Sequence, residues 1–235
     1  KNYLSFRDEV VLNFEATKDT TFEECQVVNV TPTVRLLRFA LIYGANASGK
    51  SNLLNAIDFL HGFWFNKKSD IDEETGVIPF LLDTETPNEP SEFNVKFFVG
   101  DKRYWYALVL DNKQVIKENL YVYNSVQPSL VFSRELDGTV SLIKLNAGLV
   151  KANATIVEQL NVKCLSNMSF FAARNQVNCS LAYIDDVRDW MKNNMMPIIE
   201  PGTRMFEYAG KQMEKNAELK AYILDFVHKA DYNIT

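Results

Sequence analysis

The chain has 235 residues, of which 47% are hydrophobic and 23% charged, enough apolar material for a packed core in one large domain or two small ones. With 30 acidic against 25 basic residues the net charge is −5, which gives no support to a surface built mainly to grip nucleic acid, although DNA contact through a local patch or another subunit stays open. No apolar run approaches the ~20 residues a membrane-spanning helix needs, so no membrane partner is expected.

In chain order, Lys1 to Phe6 lack the basic start, apolar stretch and cleavage site of a secretory signal. Cys25, Cys164 and Cys179 are widely spaced and odd in number, and read as free thiols of a reducing compartment, so the expected location is cytoplasmic. Tyr3 to Glu15 alternates partially at Val10, Leu12 and Phe14, which predicts strands. A polar stretch runs from Thr17 to Glu24. Phe39-Ala40-Leu41-Ile42-Tyr43 is a continuous apolar run of strand length and predicts a buried parallel strand. It leads directly into Gly44-Ala45-Asn46-Ala47-Ser48-Gly49-Lys50-Ser51. Leu53, Leu54, Ile57, Phe59, Leu60 and Trp64 then recur at helical spacing, so a helix is expected from about Lys50 to Phe65. These residues make up a first segment, 1–66.

Lys67 to Pro90 is polar, broken by Gly76, Pro79, Pro87 and Pro90, and reads as an irregular connection. Phe93, Val95 and Phe97 alternate with polar neighbours. Gly100-Asp101 and Asp111-Asn112 then supply turns between Tyr104–Leu110, Val115–Tyr123 and Ser129–Arg134. That pattern predicts an antiparallel meander, and with the connection it forms a segment 67–150. From Thr155 the period becomes helical, over Ile156–Leu160 and Leu181–Met195. Pro197 and Pro201 interrupt it, and a last helix is expected over Lys211–Lys229, with Leu219, Tyr222, Ile223, Phe226 and Val227 on one face. Residues 151–235 are therefore a helical portion.

The pattern G-x-x-x-x-G-K-[ST] at 44–51 has a physical purpose. Glycine at both ends admits positive φ and close approach of oxygen atoms. Successive amides then form an anion nest, which the helix N-terminus reinforces. Lys50 is expected to reach the β- and γ-phosphates of a nucleoside triphosphate, and Ser51 to place its hydroxyl on Mg²⁺. Average residue usage gives such a pattern by chance with a probability on the order of 1% in a chain this long. Here it also lies between an apolar run and an amphipathic helix, the context it requires. ATP and Mg²⁺ are the expected ligands.

Hydrolysis further needs an acidic residue for Mg²⁺ and a group that positions water. The one apolar-then-acidic candidate is Leu181-Ala182-Tyr183-Ile184-Asp185-Asp186, whose helical continuation reads better as an exposed acidic turn.

The loop resembles those of the ATPase heads of RecF, SMC and OLD-type proteins, in Asn46 two places after the first glycine and in Ser51-Asn52-Leu53 after the lysine. Asn2-Tyr3-Leu4-Ser5-Phe6 is similar to the first strand of those heads. The order of strand, loop and aromatic meander resembles the AAA-type, ABC-fold ATPases of bacterial anti-phage and abortive-infection systems. The likeness is motif-specific at residues 2–7 and 41–57. It implies an α/β P-loop NTPase of the ABC-ATPase-head type, with an antiparallel β lobe and a helical portion. The three segments would together form one incomplete head, working as a homodimer or larger assembly.

The resemblance also assigns nucleotide contacts to Gly44, Ala45, Asn46, Ala47, Ser48, Gly49, Lys50, Ser51 and Asn52. It places Gln176, expected on a loop after an internal strand, at Mg²⁺ or the attacking water, so that Lys50 and Gln176 are the catalytic candidates and Ser51 and Gln176 the metal candidates. An ordinary loop or cap role for Gln176 stays open. Leu4 replaces the family's basic residue, with Arg7 nearby. A signature motif, an apolar strand ending in Asp-Glu and a switch histidine are absent from the sequence, and His61 and His228 both fall on helices. The implication is the N-terminal portion of a longer protein, with an effector nuclease or toxin subunit as a partner.

Two other functions fit parts of the pattern. One is an ATP-gated scaffold that binds nucleotide without turnover. The other is a small-molecule phosphotransferase, with Arg174, Arg188 and Arg204 as its scattered lid candidates. The aromatics Phe97, Phe98, Tyr104, Trp105, Tyr106, Tyr121 and Tyr123, beside Lys96, Lys102 and Arg103, fit sheet core and strand faces better than a base-stacking platform.

Overall fold

The N-terminal residues do not form the strands that their partial alternation predicts. In the computed structural model, which describes residues 1–196, 198–200 and 202–230, Asn2 to Arg7 make a tight turn closed by an isolated bridge between Tyr3 and Phe6. Asn2 and Leu4 lie in the left-handed region, with φ of 53° and 49°, which costs a non-glycine residue about 1–2 kcal/mol each. Bonds from outside the turn offset this. The Asn2 amide donates to the carbonyls of Thr86 and Glu89, its oxygen accepts from the Phe80 N–H, and the Leu4 N–H donates to Ile78.

A short helix α1 (Glu23–Gln26) precedes a hairpin of β1 (Val27–Thr31) and β2 (Val34–Leu37). Glu15 joins it through a single bridge to Leu36. The predicted buried strand at Phe39–Tyr43 is not formed: these residues are irregular, with Leu41 82% and Tyr43 92% exposed. A buried parallel strand needs a neighbouring strand to pair with and cover on both faces, and no described residue pairs with this run. Helix α2 (Lys50–Phe65) has the span expected and buries Leu60, Phe63 and Trp64. The connection that follows is irregular apart from one 3₁₀ turn at Thr86–Asn88.

The predicted meander is present and one strand longer. β3 (Ser91–Val99), β4 (Lys102–Leu110), β5 (Val115–Tyr123), β6 (Ser129–Asp137) and β7 (Val140–Leu145) pair antiparallel in sequential order. The turn into β7 is Asp137-Gly138, with Gly138 at φ 64°, the left-handed position that asparagine or aspartate followed by glycine supplies. Alternation divides the aromatics between two faces. Phe97, Tyr104 and Tyr106 are buried inside. Trp105 and Tyr121 lie on the other face and stack on each other at 4.6 Å, with Lys96 over Trp105 and Arg103 over Tyr123. These rings cover one another and are only partly exposed.

Helix α3 (Ala154–Lys163) packs on β7 and is capped by Asn153, whose side chain accepts from the Ile156 N–H. Helix α4 (Phe170–Arg174), capped by Ser169, lies against α2, and α5 (Ile184–Asn194) sits by β3, where Trp190 stacks on Phe97. Residues Lys1–Pro197 form one compact unit and Ile198–Thr235 a second. In the second, the single helix expected over Lys211–Lys229 is two, α6 (Phe206–Lys215) and α7 (Ala217–Lys229). Asn216 breaks it by using its side chain to accept from the Leu219 N–H, an N-cap that competes with helix continuation. Pro197, Pro201 and the terminal Asn233-Ile234-Thr235 lie outside the described residues.

The inner face of the sheet also buries a charge pair. Glu118 and Arg134 are cross-strand neighbours on β5 and β6, 3.2 Å apart, with both side chains 0% exposed. Glu118 accepts from the Tyr106 hydroxyl, the Ser169 hydroxyl and the Phe170 N–H. Arg134 donates to Ser141 and to the carbonyls of Leu165, Ser166 and Met168. Removing one partner strands the other in a dry interior. Arg134→Met is expected to cost about 3–5 kcal/mol in urea unfolding. A loss below about 1 kcal/mol would mean that the pair adds no more than an ordinary hydrogen bond.

Candidate nucleotide-binding site

The loop is exposed from Gly44 to Ser48, half-buried at Gly49, and ends on a helix whose start carries no side-chain cap. Of the two glycines expected at positive φ, only Gly49 takes it, at 86°; the second left-handed residue is Ala47, at 62°. Gly44 serves close approach instead. A Cβ there would lie 3.1 Å from the Ser48 hydroxyl. The two left-handed residues turn the chain so that its amides are left without protein acceptors. None of the backbone N–H groups from Ala45 to Asn52 is bonded to another described residue. Three of these, on Lys50, Ser51 and Asn52, belong to the first turn of α2, where the helix dipole is positive.

Lys50 folds back over this concavity. Its ammonium donates to the carbonyls of Gly44 at 2.9 Å and Ala45 at 2.6 Å, with the Ser48 hydroxyl at 3.4 Å. One full positive charge is therefore fixed across the loop among free amides. That arrangement suits a chain of phosphate oxygens. Asn46 and Ser51 are exposed beside it. For Mg²⁺, Ser51 offers one hydroxyl, and among the described residues no group of three or more His, Cys, Asp or Glu side chains stands ready to hold a metal. The ion's remaining ligands would come from phosphate and water, as is usual for Mg²⁺.

Gln176 follows helix α4, not the internal strand expected. Its side chain makes one long bond, 3.4 Å to the Ala172 carbonyl. It lines a polar hollow with Arg174, Asn178, Cys179 and Arg188 that shares no residue with the loop. Asp185, expected in an exposed acidic turn, is instead half-buried. Arg174 grips it through Nε and a terminal nitrogen, each at 3.0 Å, and it accepts from the Leu181 N–H. Arg174 also donates to Val177 and Cys179, while Arg188 pairs with Asp185 and Asp189. Neither arginine is free to serve as a lid. The His61 ring rests edge-on against Phe65, and His228 is exposed near the end of α7.

The structure also brings to the loop two residues outside the expected site. A Cβ on Gly49 would lie 3.1 Å from the Ser5 hydroxyl and 3.2 Å from the Phe6 ring. The Asn52 side-chain amide donates to that same hydroxyl at 2.8 Å. A separation of 47 residues leaves no local signal for this contact.

Residues 39–141 match the sequence model of a family described as "AAA domain, putative AbiEii toxin, Type IV TA system". The matched segment runs from the apolar lead-in through the loop and α2 into the meander. It supports an AAA-type ATPase of abortive-infection-like systems, and with it a nucleotide-binding, ATPase-like function. No curated protein and no solved structure is matched. No helix among the described residues is long and apolar enough to cross a membrane.

Gly49→Ala meets both strain and contact, whereas Gly76→Ala meets the same strain, at φ 87°, with nothing within 4 Å. Gly49→Ala should therefore be the more destabilising in thermal unfolding. Equal shifts would mean that Ser5 and Phe6 do not press on the loop.

Proposed function

We propose that this chain binds ATP with Mg²⁺ through residues 44–52 and serves as the nucleotide-binding part of an ABC-type ATPase head. The observation that carries this reading is the unbroken run of unbonded amides from Ala45 to Asn52, with the Lys50 ammonium fixed across it. In this reading the amides of Ala45 to Lys50 cradle the β-phosphate, Lys50 offsets charge on the β- and γ-phosphates, and Ser51 supplies a hydroxyl to Mg²⁺. Bound Mg²⁺ would contribute charge neutralisation and orientation of the phosphates. Asn46 flanks the phosphates, and Asn52 offers them its backbone N–H. Gln176 takes part only after a rearrangement that carries it to the loop.

Hydrolysis then belongs to an assembly, a homodimer or larger, in which further residues supply the Mg²⁺ carboxylate and the water-positioning group. ATP closes the assembly and turnover opens it. The family description, which names a toxin, supports a toxin-type output, with a nuclease effector as the alternative. A second reading, an ATP-gated scaffold without turnover, is favoured by one observation: Asp185, the acidic candidate, is committed to Arg174.

Lys50→Ala removes a charge-assisted phosphate contact, and titration calorimetry with ATP and Mg²⁺ should show affinity lower by about 10- to 100-fold. Unchanged affinity would sink the phosphate-loop assignment. Ser51→Ala should keep nucleotide binding and lose most of its enhancement by Mg²⁺. Steady ADP production by the parent protein selects the ATPase over the scaffold, and binding with background turnover selects the scaffold.

A further inference from the structure

We propose that Ser5 and Asn52 are positioning residues for the phosphate loop, a role that rests on the nucleotide reading above. A helix N-terminus that is to receive phosphate has a conflict built into it. Its first amides are normally fastened by a side-chain cap, but a cap occupies the donors the phosphate needs. Helix α2 has no such cap, since its N-cap residue is Gly49. The joint between loop and helix must be held in some other way.

The N-terminal turn supplies that fastening from outside. The side-chain amide of Asn52, the third residue of the helix, donates to the Ser5 hydroxyl at 2.8 Å. Phe6 lies close over Gly49, and the Tyr3 hydroxyl donates to the Asn55 carbonyl at 3.2 Å, one turn further along. The turn is in its turn anchored by Asn2 and Leu4 to the 78–89 connection. Every contact falls on a side chain, on a carbonyl or on the face of Gly49. None uses an N–H of residues 45–52. The left-handed kink at Gly49, which aims the amides of Gly49, Lys50 and Ser51, is thereby fixed while its donors stay free. Ser5 acts through Asn52 and does not itself touch phosphate.

The test is a double-mutant cycle on ATP affinity in the presence of Mg²⁺, paired with thermal unfolding of the nucleotide-free protein. Ser5→Ala and Asn52→Ala are each expected to weaken ATP binding by roughly two- to tenfold, the worth of one hydrogen bond. The double variant should bind no worse than the weaker single one, because both substitutions remove the same bond. Ser5→Thr, which keeps the accepting oxygen, should stay near the parent. Additive losses overturn the proposal, because they make Ser5 an independent ligand of the nucleotide. A lowered melting temperature with unchanged ATP affinity also overturns it, leaving a structural contact alone. If the folded parent protein binds no ATP, it is the nucleotide reading that fails, and that result is separate from either of these.

Discussion

The arrangement of the main unit depends on one buried charge pair, Glu118 with Arg134. The segment from Leu165 to Met168 is irregular and lies in the interior, and of the strands only β5 serves it, through the Val115 N–H to the Ser166 carbonyl, so its carbonyls need further donors. Arginine meets the need because a planar guanidinium carries five N–H groups. Arg134 turns them to Ser141, Leu165, Ser166, Met168 and Glu118. Glu118 is satisfied in turn by Tyr106, Ser169 and the Phe170 N–H, the last at the very start of α4. A pair satisfied on all sides contributes more to geometry than to net stability. Its effect is to seat Phe170 and Phe171 on the sheet. From there aromatic contacts run through Tyr106 to Trp64, at the far end of α2.

Helix α2 is thus held twice, by unlike means. Its C-terminal end is packed through Leu60, Phe63 and Trp64 into a dry core. Its N-terminal end, about 20 Å away along the axis, is exposed and held by Ser5, Phe6 and Tyr3. The division suits a site in which the scaffold is rigid and the amides must remain available. The two holds also have different vulnerabilities. The packed end fails through cavities or stranded charge, the exposed end through loss of single hydrogen bonds.

Much of this was legible in the sequence, and most of the failures share a physical cause. Helix α2 and the first four strands of the meander follow period alone, and each is completed by near neighbours in the chain, so they were read with nearly the right bounds. The loop at 44–49 and the helix start at Lys50 were legible because glycines at fixed spacing mark the break between the apolar run and α2. Phe39–Tyr43 looked like a buried strand because apolar content predicts burial, but burial needs partners, and period says nothing of whether they are present. Asp185 looked exposed because its partner Arg174 precedes it on another helix. Ser5 could not be connected to Gly49 at all, since that contact is set by how the N-terminal turn is pinned to the 78–89 connection. Strand β7 and the break at Asn216 were different. Both carried local signals, Asp137-Gly138 and a capping asparagine, that a reading by hydrophobic period passes over.

The exposure of the loop and that of the run before it are two sides of one constraint. In bulk water an ammonium 4 Å from a phosphate charge gains only about 1 kcal/mol, and in a partly covered site about four times that. The open loop of this structure therefore offers the right donors in the wrong dielectric. Beside it, Phe39, Leu41, Ile42 and Tyr43 leave apolar surface in solvent, and covering it gains up to about 1.5–3 kcal/mol for a side chain that starts fully exposed, less in proportion for those already half covered. Polypeptide that covers this run would bury the apolar side chains and at the same time lower the dielectric around Lys50 and its amides. If the proposed nucleotide site and assembly both hold, nucleotide affinity and assembly would be coupled through the same few residues, and by linkage each would strengthen the other to the same degree.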